Sequence, residues 1–202
     1  MDLIIDTVKK LESIMKNSGC EESGVVIDVR SNTVNCQFER GVCMTASFGG
    51  RSADFITYDP IRANTKISFM FGTPLDTPPV RGAAVAILNV ATGFFCLSRV
   101  LHSCPESSHA ECGRQLLNEL GEKRIFCIGT MPAIDPAIRS AIVKNPQDAE
   151  VILINGGGII EKGTGDIIRN NKDTKRIICL GPSTAGIARL NQFELWCPFG
   201  TC

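Results

Sequence analysis

Apolar residues recur at positions 3, 4, 5, 8, 11, 14 and 15, which is helical rather than alternating spacing. The chain is therefore predicted to open with a helix over 3–16. Beyond Gly19 the pattern shortens. β-Type runs at 25–29, 32–38 and 42–48 are separated by turns at Arg30–Ser31 and 39–41, which predicts an antiparallel meander. Residues 49–60 are rich in turn formers and are read as a looser stretch, and 66–71 is read as a further strand. Residues 72–79 contain three prolines and mark a boundary between two units. The first unit is a small α+β domain at 1–75, and the second occupies 80–202.

The second unit is patterned differently. A long apolar stretch at 80–101 predicts a helix, and 108–120 predicts another, which Gly121 is placed to stop. Three runs at 124–128, 150–155 and 176–180 are continuously apolar, as strands buried on both faces are. Asp135-Pro136 opens a helix with an N-cap residue followed by proline at the first helical position. Gly163-Thr164-Gly165-Asp166 opens another. Right-handed crossovers would then align three glycine turns along one edge of a parallel sheet. These are Gly129-Thr130-Met131-Pro132, Gly156-Gly157-Gly158 and Gly181-Pro182-Ser183-Thr184. The fold class is α/β, a parallel sheet preceded by a helix plus antiparallel meander.

Composition narrows the function classes. The chain has 202 residues, 44% apolar and 21% charged, with zero formal net charge. That balance suits a soluble globular protein and lacks the basic footprint of a nucleic-acid binder. Residues 82–100 are apolar, but Asn89, Ser98 and Arg99 favour a buried helix over a membrane span. Asp2, Asp6 and Glu12 break up the amino-terminal apolar residues, so no export signal is read there and a cytoplasmic protein is expected. The ten cysteines are spread from Cys20 to Cys202, unlike a secreted disulfide framework. Cys127 and Cys179 lie in apolar runs and fit the core. A strongly reducing cytoplasm, such as that of an anaerobe, would tolerate this usage.

The order of strand, glycine turn, Gly163-Thr164 helix start, strand and Gly181-Pro182-Ser183-Thr184 over 151–190 resembles a known family. It is similar to the carboxyl half of the heavy-metal chelation family of bacteria and archaea, a domain of unknown function. Arg81–Val90 and Ile125–Pro132 extend the resemblance upstream, and the amino-terminal helix and meander resemble that family's small enolase-amino-terminal-like domain. The family carries Pro-Leu after the Ser-Thr pair, where this chain has Ala185-Gly186. The resemblance implies a Rossmann-like domain packed on an α+β domain, with a cleft between them.

Two constellations could carry chemistry. Ligands of open α/β sheets bind at the carboxyl ends of strands, so the cleft is expected to be lined by Gly129, Asn155, Gly156, Gly181, Ser183 and Thr184. Exposed backbone N–H groups and the two hydroxyls there suit a small anionic molecule or a metal complex. The competing reading is that the glycines serve positive φ and close packing while Ser183 or Thr184 caps a helix. No turn matches the dinucleotide fingerprint, and Lys162-Gly163-Thr164 has the wrong order for a phosphate-binding loop. A nucleophile elbow at Ser183 fails, because Ala185 replaces the final glycine and no histidine follows His109.

The second constellation is His102, Cys104, His109 and Cys112. A nitrogen and sulfur set of this kind suits a transition metal such as zinc. Against it, the spacing matches no standard zinc motif, and a packed cysteine beside a hydrogen-bonded histidine would read the same way. Cys197 and Cys202 form a weaker pair, better read as thiols on a frayed terminus. The leading expectation is a binding protein for a small molecule or metal complex, with homo-oligomerisation left open. An enzyme of metal-cofactor metabolism using the same cleft, and a non-catalytic assembly module, are the alternatives.

Overall fold

The computed structural model describes residues 2–31 and 33–202. α1 (Leu3–Met15) buries Leu3, Ile4, Val8, Leu11 and Met15 along one face, the stripe that the spacing predicts. Asp2 caps it, its carboxylate accepting from the backbone N–H groups of Ile4 and Ile5 at 2.9 and 3.3 Å. β1 (Gly24–Arg30), β2 (Val42–Phe48), β3 (Arg51–Thr57) and β4 (Ala63–Lys66) form an antiparallel sheet in the order β3-β2-β1-β4.

Two parts of the meander differ from expectation. The stretch 49–60 holds β3, which pairs with β2 along its whole length. Its turn formers are Gly49 and Gly50, with φ of 56° and 78°, the two positive values that a tight hairpin turn requires. Conversely, the run expected as a strand at 32–38 is irregular over 33–38; Asn32 lies outside the described residues. Its apolar residues Cys36 and Phe38 are buried with residues of the second sheet instead of extending the first. The strand expected at 66–71 is a single 3₁₀ turn, Ile67–Met70, which tucks Ile67 and Met70 into the core.

α2 (Pro78–Phe94) runs through the middle of the molecule, with every residue from Arg81 to Gly93 buried. A helix apolar all round must be covered all round. β2 and β3 pack on one side, and α1 and α7 (Ala185–Asn191) on the other. The helix stops at Phe94 rather than at 101. The chain then reverses, and Leu101 returns so close that a Cβ on Gly93 would lie 2.6 Å from it.

α3 (His109–Leu120) is closed by Gly121 at φ 56°. After it, β5 (Ile125–Ile128), β6 (Val151–Ile154), β7 (Arg176–Leu180) and β8 (Glu194–Trp196) form a parallel sheet in that spatial order. β8 was not anticipated, since three half-buried residues leave little pattern to detect. α4 (Asp135–Ile138) is one turn, α5 (Gly156–Ile160) follows β6 directly, and α6 (Thr164–Asn171) begins at the expected glycine. The α/β class is as read: an antiparallel sheet and a separate parallel one, with helices. One apolar cluster joins Ile27, Met44 and Phe55 of the first sheet to α2 and to Ile152, Ile154 and Cys179 of the second. No helix among the described residues is long and apolar enough to cross a membrane.

Candidate functional site

The turns after β5 and β6 are built for close approach. Gly129 has φ 89°, and a Cβ there would fall 2.1 Å from Asn155 Oδ1. A Cβ on Gly158 would fall 2.2 Å from the Ile128 carbonyl oxygen. Asn155 is the hinge of this packing. Its Oδ1 accepts from the Gly158 N–H at 2.9 Å, capping α5, and its Nδ2 donates to the carbonyls of Phe38 and Thr130 at 2.9 and 2.8 Å.

A cavity of about 390 Å³ opens beside these turns. Gly129, Thr130, Asn155, Gly157 and Ile160 line it from the parallel sheet's edge, and Ile56–Asp59 line it from the end of β3. Asp76, Pro78 and Arg81 come from the start of α2, with Arg40, Glu161 and Lys162 on loops. The floor is buried, while Arg40, Asp59, Asp76, Glu161 and Lys162 are exposed at the rim. Tyr58 stands out from the rim with 72% of its surface exposed. Arg81 is already engaged, donating to Asp2 and to the carbonyls of Ile160 and Leu75. Although Glu161 is exposed as a residue, partial desolvation of its carboxyl raises it above its ordinary value.

Of the six residues expected to line the cleft, Gly129 and Asn155 do so. Gly156, Gly181, Ser183 and Thr184 are buried next to it and are served by the protein's own groups. Glu39 provides the acceptor oxygens. Its Oε1 accepts from the Gly156 N–H at 3.0 Å and its Oε2 from the Ser183 hydroxyl at 2.9 Å. Ser183 Oγ in turn accepts from the Ile56 N–H at 2.9 Å. Thr184 Oγ1 donates to the carbonyls of Leu180 and Gly181 at 3.2 and 2.8 Å, and the Gly181 N–H donates to the Trp196 carbonyl at 3.1 Å. Burial pushes the Glu39 carboxyl up to about 8, against the pull of its Ser183 and Gly156 hydrogen bonds. It is therefore mostly protonated at neutral pH. Sequence reasoning missed Glu39, because a carboxylate in an apparent polar turn gives no sign of complete burial.

The four residues of the metal constellation separate into two groups. His102 turns toward β3, its Nδ1 lying 3.0 Å from Asp54 Oδ2 and its Nε2 3.4 Å from Ser52 Oγ. Burial acts to raise the Asp54 carboxyl, but the His102 and Thr45 contacts outweigh it and hold it below the ordinary value. Cys104 and Cys112 remain near each other, and the Nε2 of His109 is buried without a hydrogen-bond partner. Among the described residues, no three His, Cys, Asp or Glu side chains form a group that would hold a metal ion as they stand. No two cysteines among the described residues are joined by a disulfide.

The sequence matches no protein-family model and no curated protein. Solved structures do share the fold. A protein of unknown function from the DUF364 family of Pyrococcus horikoshii superposes with a TM-score of 0.51 at 14% identity, over 90% of this chain and 79% of that one. A DUF364 protein of unknown function from Desulfitobacterium hafniense gives 0.50 at 13% identity, over 93% and 85%. In fold, the chain is similar to DUF364 proteins, whose own function is unknown.

Proposed function

We propose that the protein binds a small polar molecule in the cavity at the carboxyl edge of its parallel sheet. One observation carries this reading: the turns after β5 and β6 and the end of β3 meet around one cavity of about 390 Å³. That volume falls in the range of roughly 300–1,000 Å³ typical of ligand pockets. The strand-end position is where open α/β sheets take their ligands. Buried Thr57, Arg81 and Asn155 beneath a charged rim also suit a polar ligand. Arg40 and Lys162 would receive an anionic group, while Asp59, Asp76 and Glu161 would receive basic or hydroxyl groups on the same molecule.

Gly157 provides the test. A Cβ there meets nothing nearer than 3.5 Å, an ordinary contact, so Gly157→Phe fills the cavity without forcing the backbone. A thermal-shift screen of amino acids, dicarboxylates and sugar phosphates should find a ligand that stabilises the wild type. At a concentration of 100 Kd the gain is about 2.7 kcal/mol. Gly157→Phe should fold normally and lose that gain, and a double Arg40→Ala, Lys162→Ala variant should weaken it. A ligand that stabilises Gly157→Phe as well as the wild type would place binding elsewhere and end the proposal.

A further inference from the structure

Ser52, Asp54 and His102 meet on the face of the antiparallel sheet turned away from α2. Alternate residues of a strand share a face. Met44 and Phe55 approach Gly82 of α2 from one face of the sheet, so Ser52 and Asp54 of β3 stand together on the other. Register sets Ser47 across from Ser52 and Thr45 across from Asp54. Backbone hydrogen bonds bring His102 to them. The Asp54 N–H donates to the Leu101 carbonyl at 2.8 Å, and His102 and Thr201 exchange bonds at 3.0 and 3.1 Å. The imidazole is thereby held over β3 from a segment nearly fifty positions away in the chain.

The two ring nitrogens have different partners. Nδ1 lies 3.0 Å from Asp54 Oδ2, and Nε2 lies 3.4 Å from Ser52 Oγ. Thr45 Oγ1 donates to the other Asp54 oxygen, Oδ1, at 2.9 Å. Both oxygens of a carboxylate whose side chain is only 8% exposed are thus engaged. An ionised carboxylate can only accept. Nδ1 therefore carries the proton of the neutral ring, and the Nε2 lone pair faces the Ser52 hydroxyl. That order of hydroxyl, imidazole and buried acid is the arrangement of an activated serine nucleophile. A separation of 3.4 Å is long for a hydrogen bond, but such contacts tighten when substrate binds. Anchoring residues 101–102 to β3 needs only the Asp54 contact. The second nitrogen, aimed at a hydroxyl two residues back on the same strand, is what a nucleophile requires.

We propose that Ser52, His102 and Asp54 form a second site, which hydrolyses small carboxylic esters with Ser52 as nucleophile. His102 Nε2 takes the Ser52 proton as Oγ bonds to the acyl carbon, and the carbonyl electron pair moves onto its oxygen. The N–H groups of Asp54 and Ile56 leave β3 on its open edge, to Leu101 and Ser183. By strand alternation the Ser52 N–H leaves on that edge too, where it meets the developing oxyanion. Collapse expels the alcohol, which carries away the proton from His102. Water then gives its proton to Nε2 and attacks the acyl carbon, and Ser52 recovers its proton as the acid departs. Asp54 is a positioning residue, fixing the tautomer and the ring. Ser52 is partly exposed and the His102 side chain 25% exposed, which admits a small acyl group in preference to a polymer.

This site stands apart from the cavity, because Ser52 is four residues along β3 from Ile56, about 13 Å at the rise of a strand. Its test is therefore independent of any cavity ligand. A fluorophosphonate reports the nucleophile directly, since Oγ bonds to phosphorus with loss of fluoride and the adduct persists. Peptide mass spectrometry of the full-length protein should place the adduct on Ser52. Complete labelling should also abolish turnover of p-nitrophenyl acetate, which separates Ser52 from the thiols. His102→Gln should slow labelling by the roughly 10²–10⁴-fold that a positioned general base contributes. Asp54→Asn should lower the maximal labelling rate and leave the half-saturating probe concentration unchanged. Ser47→Ala should label as the wild type does. Absence of an adduct on Ser52 in the wild type, which needs no variant to fold, would overturn the proposal. So would ester turnover that survives complete labelling, or a full labelling rate in His102→Gln with a native circular dichroism spectrum.

Discussion

At the residue scale, Glu39 occupies the place where the glycine and hydroxyl donors of the sheet edge would have met a ligand. It holds a proton at neutral pH because burial outweighs its hydrogen bonds. The consequence for stability has a definite sign. Below the ordinary carboxyl value of 4.5, folded and unfolded chains are both protonated. From there up to about 8, the unfolded chain ionises while the folded one does not. Stability should therefore fall across that window, by on the order of 5 kcal/mol, and level off above it. Urea midpoints measured from pH 5 to pH 9 on the wild type and Glu39→Gln check this. The isosteric amide should remove most of the slope and be the more stable form at pH 9.

Ser183 belongs to the same scale. Its hydroxyl was a candidate ligand donor, but it joins Ile56 to Glu39. Ser183→Ala should cost about 1–3 kcal/mol by leaving the buried Ile56 N–H unmatched, read from the denaturation midpoint. Ligand affinity in the cavity should change little. Neither role could be read from the sequence, because both depend on partners more than a hundred positions away. The same holds for His102, whose partner Asp54 lies in a stretch that reads as loop.

At the element scale, α2 shows what periodicity reveals and where it stops. Its unbroken apolar character marks a buried helix, and that is what forms. Its end is not visible in the pattern, since residues beyond Phe94 are also apolar; the chain leaves the helix through the left-handed backbone of Cys96, at φ 57°. Asn89, the polar interruption that argued against a membrane span, is fully buried and works as a bracket. It donates to the Ser183 carbonyl at 3.0 Å and toward the Asp54 carbonyl at 3.4 Å, and accepts from the Gly186 N–H at 2.8 Å. A Cβ on Gly186 would lie 2.8 Å from Asn89 Oδ1 and 2.9 Å from the Leu88 carbonyl carbon. The Ala185-Gly186 departure from the resembled family is thus matched to this close crossing of α7 on α2. Asn89→Ala should cost about 3 kcal/mol or more, because it leaves a cavity and unmatched backbone groups together. Chemical denaturation measures it, and Asn89→Asp should not restore the loss.

At the scale of the whole molecule, α2 is covered by the antiparallel sheet on one side and by helices of the carboxyl-terminal part on the other, within one apolar cluster. Separating the chain near residues 72–79 would expose one face of α2 in the carboxyl-terminal piece and the sheet face that α2 covers in the other. Unfolding should therefore be a single cooperative transition, with circular dichroism and Trp196 fluorescence giving coincident curves. A fragment of residues 80–202 should be poorly folded alone. Two resolved transitions, or a stable fragment, would show that the units at 1–75 and 80–202 fold independently.

The sequence by itself determined the class of the fold, the helix at the start, β1 and β2, the first three parallel strands and the edge where their glycine turns collect. Those features are written in local periodicity and in residues whose backbone preferences act over a few positions. The tertiary structure alone decided two others. The 33–38 run is drawn away from its own sheet, because Cys36 and Phe38 gain more by burial against the second. Glu39 fills the donors of the Gly156 turn and Ser183. Each depends on contacts between residues far apart in the chain, and no local spacing rule encodes which distant segments will meet.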